Sequence, residues 1–154
     1  MNTTSQPTSR GFTLIELLIV VTIIALIVAI AIPNLLNAIQ RARQSRTLAD
    51  ANAIGKGLSM YQQDHVVYPV AAKDTFAEGI RGSITPYFTS FNPTDGWENP
   101  FRYTSTDGRH YTLISYGRDR LASEPYTPGP TMYFDDDLVI TDGMFLQYPE
   151  GAQQ

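Results

Sequence analysis

Residues 9–34 read SRGFTLIELLIVVTIIALIVAIAIPN, and across the 21 residues from Phe12 to Ile32 the only ionisable side chain is Glu16. Wound as a helix at ~1.5 Å per residue, that run spans roughly 31 Å, about the thickness of a bilayer's hydrocarbon core. A carboxylate at such depth costs on the order of 3 kcal/mol on insertion scales, so Glu16 needs a partner or a task. A plain membrane anchor gives it neither. A secretory signal peptide is suggested by Arg10 ahead of the run and by Ala29-Ile30-Ala31, which has the small-x-small form of a cleavage site. However, the run is longer than the ~7–15 residues usual for such signals, and no polar region precedes the triad.

A third reading takes the stretch whole. Residues 10–16, RGFTLIE, resemble the class III signal of type IV pilins and of the pseudopilins of type II secretion. The resemblance implies that residues 1–11 are a leader, cut between Gly11 and Phe12 by a prepilin peptidase. Phe12 is then N-methylated, and Glu16 becomes the fifth mature residue. Cleavage creates an α-amine on Phe12, a positive charge at the tip of an apolar helix. In a filament of staggered parallel helices, that amine on one subunit lies beside Glu16 of its neighbour. Breaking a buried ion pair leaves an uncompensated charge at a cost of ~3–5 kcal/mol, so the pair acts on register and Glu16 is a filament-assembly residue. The charge bias runs the other way: Arg41, Arg43 and Arg46 lie just past the run, against Arg10 before it, whereas the resemblance implies a cytoplasmic N-terminus.

Pro33 follows the run and matches the position where the family's helix bends or melts on packing into a filament. The helix is expected to continue to about residue 64. Leu35, Ile39 and Ala42, then Ala51, Ile54, Leu58 and Tyr61, recur at three- and four-residue steps as a face for packing on a sheet. Gly55 and Gly57 weaken that stretch by up to ~1 kcal/mol each relative to alanine. Residues 70–92 read as a loop, with a short helix or irregular segment over 83–91.

Beyond residue 92 the pattern changes to short alternating strands. Residues 101–106 and 111–116 flank Asp107-Gly108, and residues 138–141 and 144–148 flank Asp142-Gly143, two strong antiparallel hairpin signals. Residues 95–103, DGWENPFRY, resemble the DPWGNPYxY signature of the major pseudopilins of type II secretion, and residues 111–119, YTLISYGRD, resemble their YxLxSxGxD stretch. Gly96 stands for the usual proline and Glu98 for the usual glycine. The fold class is α+β: a pilin-like fold, with a long N-terminal helix packed on a small antiparallel sheet. Its parts are the leader, residues 1–11; the transmembrane and filament-core helix, 12–33; and a periplasmic head, 34–154, that includes the amphipathic half of the helix.

In that family, acidic residues before the penultimate strand join the aspartate of the GxD segment to bind calcium, a hard cation that takes six to eight oxygens. The resemblance thus implies ligands from Asp119, the Leu121 carbonyl, Ser123 and one or two of Asp135, Asp136 and Asp137. Arg118 and Arg120 offer a competing arrangement, in which they pair with the aspartates. Arg120 also replaces the family's common glycine, and residues 124–130, EPYTPGP, form a longer and stiffer connection than the pattern has.

The totals narrow the function. Net charge is −4, but residues 34–60 carry Arg41, Arg43, Arg46 and Lys56 against Asp50, while residues 95–154 carry ten acids against four arginines. An acidic body behind a basic helix fits self-association better than nucleic-acid binding, which wants a concentrated basic face. The chain has no cysteine, which excludes disulfides and thiolate chemistry. His65 and His110 are far apart, Ser115 lacks a nucleophile-elbow setting, and no phosphate loop or HExxH is present, so no enzyme is expected.

The resemblance implies a structural subunit of a type II secretion pseudopilus: a single-pass inner-membrane protein that polymerises into a periplasmic filament driving export across the outer membrane. Its partners would be copies of itself, minor pseudopilins, the prepilin peptidase, the inner-membrane assembly platform and its ATPase, the outer-membrane secretin with exported proteins, and membrane lipid. A type IV pilus subunit for adhesion or motility, and an anchored or secreted binding domain, are the alternatives.

Overall fold

The computed structural model describes residues 11–88 and 92–150. The chain divides into two compact units, one ending at Asn37 and the other beginning at Ala38. Helix α1, Leu14–His65, contributes to both.

In the first unit every residue from Gly11 onward is exposed, including all the large apolar ones. Its polar groups are satisfied locally. Thr22 Oγ1 donates to the Leu18 carbonyl at 2.8 Å, and Asn34 Nδ2 to the Ile30 carbonyl at 3.2 Å. The helix runs through Pro33, which has no N–H to offer the Ala29 carbonyl. One helix in the described chain is thus long and apolar enough to cross a membrane.

The second unit is the head. Its part of α1 buries Thr47, Ala51, Ile54, Gly55, Gly57 and Leu58. The expected stripe therefore holds from Ala51 onward but not before it: Leu35, Ile39 and Ala42 are exposed, because the apolar periodicity there continues the all-round hydrophobic run. The two glycines mark close approach. A Cβ on Gly57 would enter the Phe88 ring, and one on Gly55 would lie 3.2 Å from the Tyr111 hydroxyl. Glycine's cost to the helix is the condition for packing at that distance.

Six strands form one sheet: β1 Ala71–Phe76, β2 Arg102–Ser105, β3 Thr112–Ser115, β4 Gly129–Thr131, β5 Leu138–Thr141 and β6 Met144–Pro149, in the order β1-β2-β3-β5-β6-β4. Both hairpins of alternating residues are present. Asp142 (φ 51°) and Gly143 (φ 81°) make the tight two-residue turn between Thr141 and Met144. The Asp107-Gly108 connection is wider, since the last pair before it is Thr104 with Thr112. Tyr103 pairs with Leu113, Leu113 with Ile140, and Ile140 with Phe145, giving one apolar row across four strands. That row joins Ala51, Ile54 and Leu58 in the core. At about 25 cal/mol per Å² of apolar surface removed from water, such interlocking is what holds helix to sheet.

Two features depart from expectation. The sheet is mixed rather than antiparallel, because β4 runs parallel to β6. Pro130 lies in β4, at the sheet edge where a missing N–H breaks no ladder. The segment read as a loop contains β1, which pairs with β2 through a bulge at Asp74 (φ 58°). It then continues as a 3₁₀ turn, Ala77–Ile80, the short helix α2, Arg81–Ile84, and a second 3₁₀ turn, Thr85–Tyr87. Residues 89–91 of the expected irregular segment lie outside the described residues.

Candidate functional site

At the N-terminal motif, Gly11 and Phe12 are exposed ahead of the helix, and Phe12 keeps 78 % of its surface. A side chain on Gly11 would meet nothing within 4 Å among the described residues. Residues 1–10 of the expected leader lie outside the described residues. Glu16 has a partner within its own chain that the sequence reading missed. Its Oε2 accepts from the Thr13 backbone N–H at 2.9 Å and from Thr13 Oγ1 at 2.7 Å, while Thr13 Oγ1 accepts from the Glu16 N–H at 3.2 Å. This reciprocal capping box satisfies amides that a helix end leaves orphaned, and the Thr-x-x-Glu spacing announces it. The other oxygen, Oε1, makes no hydrogen bond among the described residues, so Glu16 can hold the helix start and still accept from outside.

In the head, the signature segment 95–100 is a lock between helix and sheet. Asp95 is fully buried. Its Oδ1 accepts from the N–H groups of Trp97 (2.9 Å) and Asn99 (2.8 Å), and its Oδ2 from Ser115 Oγ (2.7 Å). Asn99 Nδ2 donates to the Gly117 carbonyl at 2.8 Å, tying the loop to the end of β3. Trp97 Nε1 reaches Gln40 Oε1 at 2.7 Å, and the Gly96 N–H reaches Thr47 Oγ1 at 2.9 Å. A Cβ on Gly96 would overlap the Arg43 carbonyl, which explains glycine where the signature has proline. Gly117 has φ 62°, and a Cβ there would sit 2.9 Å from three successive carbonyls, those of Phe134, Asp135 and Asp136.

In the acidic loop beyond Gly117 the expected cation ligands differ in their surroundings. Arg118 grips Asp135 side-on, Nε to Oδ1 and Nη2 to Oδ2, both at 2.7 Å. This bond holds the Asp135 carboxyl below its ordinary range and is the pairing that the sequence offered as the alternative to a cation. Asp136 Oδ2 accepts from the N–H groups of Met132 and Tyr133. Asp119 Oδ1 accepts from the Leu121 N–H at 2.9 Å. Among the described residues, no three acidic or histidine side chains converge.

Asp137 is different. It is 1 % exposed, its Oδ2 accepts from the Ser123 N–H at 2.9 Å, and its Oδ1 is buried with no partner. Burial pushes its pKa up to about 6, with the charges of Asp119 and Asp136 adding to the effect. The Tyr126 hydroxyl, also buried without a partner, acts on the Asp137 carboxyl against burial, and an unpartnered carboxylate oxygen is the kind of hard donor a calcium ion takes.

Comparison with known proteins bears on both ends of the chain. The family described as "Type II secretion system (T2SS), protein G" matches residues 34–125, more than half of the chain. This chain belongs to that family. The motif described as "Prokaryotic N-terminal methylation motif" matches residues 7–32, the stretch that carries Gly11, Phe12 and Glu16. The chain is 30 % identical over 132 residues to the type II secretion system core protein G of Dickeya chrysanthemi, which covers 84 % of each. It is 31 % identical over 107 residues to the core protein G of Vibrio cholerae, covering 62 % of this chain and 70 % of that one. It is also 38 % identical over 93 residues to the type IV wide pilus major component PilA4 of Thermus thermophilus, covering 60 % and 70 %. No solved structure matches. The lock at residues 95–100 lies within the family match, and the exposed Gly11, Phe12 and Glu16 lie within the motif match.

Proposed function

We propose that this chain is the structural subunit of a type II secretion pseudopilus. The observation that carries the reading is the contrast within α1: from Gly11 to Ile39 every residue is exposed, whereas the head has a sealed core of its own. A helix apolar on all sides has no stable place in water and takes either lipid or other such helices as its surroundings. The protein serves both in turn. Before assembly the helix spans the inner membrane, with the N-terminus cytoplasmic and the head periplasmic. Hydrolysis after Gly11 then gives Phe12 a free, later methylated, amine. In the filament that amine faces Glu16 of a neighbour, whose Oε1 is open while Oε2 stays in the capping box. Pro33, by weakening the hydrogen-bond ladder, gives the helix a place to bend as subunits pack. The assembly platform, its ATPase, the minor pseudopilins, the secretin and exported proteins are the partners this role requires.

Co-expression with a prepilin peptidase and intact-mass measurement of the extracted protein tests the reading. A chain starting at Phe12 and one methyl group heavier is expected. A chain starting at Ile32, or uncut, would overturn it. The likeness to a wide-pilus component over 93 residues favours one second reading, a surface pilus subunit. Deleting the gene separates the two, because loss of secreted protein with surface filaments intact is the expected result.

We further propose that the head binds calcium at Asp137, with Asp119, Ser123 and the Leu121 carbonyl contributing and Asp135 excluded by Arg118. Metal ions that bind only the folded state raise apparent stability. Calcium should therefore raise the thermal midpoint of the mature protein, Asp137→Asn should abolish the rise, and Asp135→Asn should leave it. A rise that survives Asp137→Asn would place the ion elsewhere.

A further inference from the structure

A pocket of about 200 Å³ lies on the head where Glu98, Arg102, Tyr116 and Arg120 meet. Three features set it apart from ordinary surface. First, the Arg102 guanidinium carbon lies 4.0 Å from the centre of the Phe76 ring and 5.7 Å from that of Tyr116, with Nη1 donating to the Asp74 carbonyl at 3.3 Å. Second, its Nε is buried without a partner, and its Nη2 makes no hydrogen bond among the described residues. The Nε–Nη2 edge is thus unused, although it is the edge with which Arg118 grips Asp135 in the same molecule. Third, Glu98 (φ 66°) and Arg120 (φ 67°) both hold left-handed backbone, where a side chain is strained and glycine is not. Two long charged side chains therefore stand on the rim at positions that sterics would give to glycine. Neither side chain makes a hydrogen bond or ion pair among the described residues.

We propose that this pocket binds a single carboxylate, taken side-on by the Nε–Nη2 edge of Arg102 and closed over by Arg120. Planar forks match carboxylates in two parallel hydrogen bonds, and a guanidinium already fixed between rings has little freedom left to lose. Nε is closed to solvent, so side-on binding requires the surrounding side chains to shift, and the rim residues Glu98 and Arg120 are exposed. Glu98 sets the charge selection: its carboxylate tolerates a monoanion beside two arginines but opposes phosphate or sulfate. The carboxylate comes either from a free small acid or from an acidic side chain on a second copy of this chain. The site does not depend on the assembly proposed above.

The test follows the Arg102 Nε–H resonance in the mature full-length protein in detergent, with the Trp97 indole N–H as a reporter of intact fold. Acetate is expected to shift the Arg102 signal saturably, while chloride and phosphate at equal ionic strength do not. Arg120→Ala should weaken the acetate response roughly tenfold, the worth of a lost charged hydrogen bond, while Arg118→Lys leaves it unchanged. A response to acetate at high dilution identifies a free acid as a sufficient ligand. A shift that grows with protein concentration and is reversed by excess acetate identifies a neighbour's side chain. If the signal moves with neither acetate nor protein concentration while the Trp97 signal stays in place, or if phosphate and chloride shift it as acetate does, the proposal is overturned.

Discussion

The two units of this protein solve the same problem in opposite ways. Among the described residues up to Asn37 the bonds beyond the helical ladder are local, Thr13 with Glu16, Thr22 with Leu18 and Asn34 with Ile30, and the apolar surface faces outward. From Ala38 onward, apolar surface is interior and polar groups reach across long stretches of sequence, as Trp97 does to Gln40 and Asn99 to Gly117. One continuous helix takes part in both. The lesson is that a helix's stability is not a property of the helix: its first part depends on what surrounds the molecule, its second on what the molecule folds against it.

If the units are independent, a change in one should be silent in the other. The largest effect is expected from Glu16→Ala. An assembled Phe12 amine left without its carboxylate costs ~3–5 kcal/mol per subunit, enough to reduce filament yield by orders of magnitude. The urea midpoint of the head should not move. Thr13→Ala is the sharper companion, because it removes the capping box at ~1 kcal/mol but keeps the carboxylate, so filaments should still form. If both variants fail equally in an assembly assay, Glu16 acts only as a cap.

The converse is Gly96→Ala. A methyl group forced against the Arg43 carbonyl should destabilise the head by about 3 kcal/mol, seen in chemical denaturation, while cleavage after Gly11 proceeds. Normal stability would mean that the loop can move off the helix. A smaller loss, roughly 1–3 kcal/mol, is expected from Asp95→Asn. An amide has one carbonyl oxygen for three donors, and its NH₂ group would face donors in place of the second. A denaturation midpoint equal to that of the parent protein would show that the carboxylate is not needed as an acceptor on both sides.

The sequence made the first unit readable because its signals are local: an apolar run of fixed length, one charge, and a motif at set spacing. The hairpin around Asp142-Gly143 was readable for the same reason. What escaped depends on contacts distant in sequence. β4 has three residues, Gly129, Pro130 and Thr131, and is a strand only because β6 lies beside it. β1 has little β-branched content and exists through its pairing with β2. The competing arrangement of arginines and aspartates was legible as an alternative, but not that Arg118 alone would take Asp135 while Asp137 is left buried with an unpartnered oxygen. The capping box at Thr13 was legible in the Thr-x-x-Glu spacing and was masked by the assembly role proposed for Glu16.

The smallest expected effect concerns the join between the two connections at the end of the head. His110 Nδ1 lies 2.7 Å from Asp142 Oδ2, and the other oxygen of Asp142 accepts from the Tyr111 N–H at 2.9 Å. The hydrogen bond to Asp142, then its charge, raises the His110 pKa above the ordinary imidazole value. Because the folded value lies above the unfolded one, the folded state binds more protons in between. The pair's contribution is therefore fully present below the ordinary value of about 6.5 and is lost as pH rises through the folded value. Exposure of the ring keeps the effect small and sensitive to salt. The thermal midpoint should fall slightly between slightly acidic and slightly basic pH, and His110→Gln should flatten that part of the profile while leaving Gly11 cleavage and filament formation unchanged. Superimposable pH profiles for the two proteins at low salt would show that the His110 contact adds nothing to the two bonds between the Tyr111 backbone and Asp142.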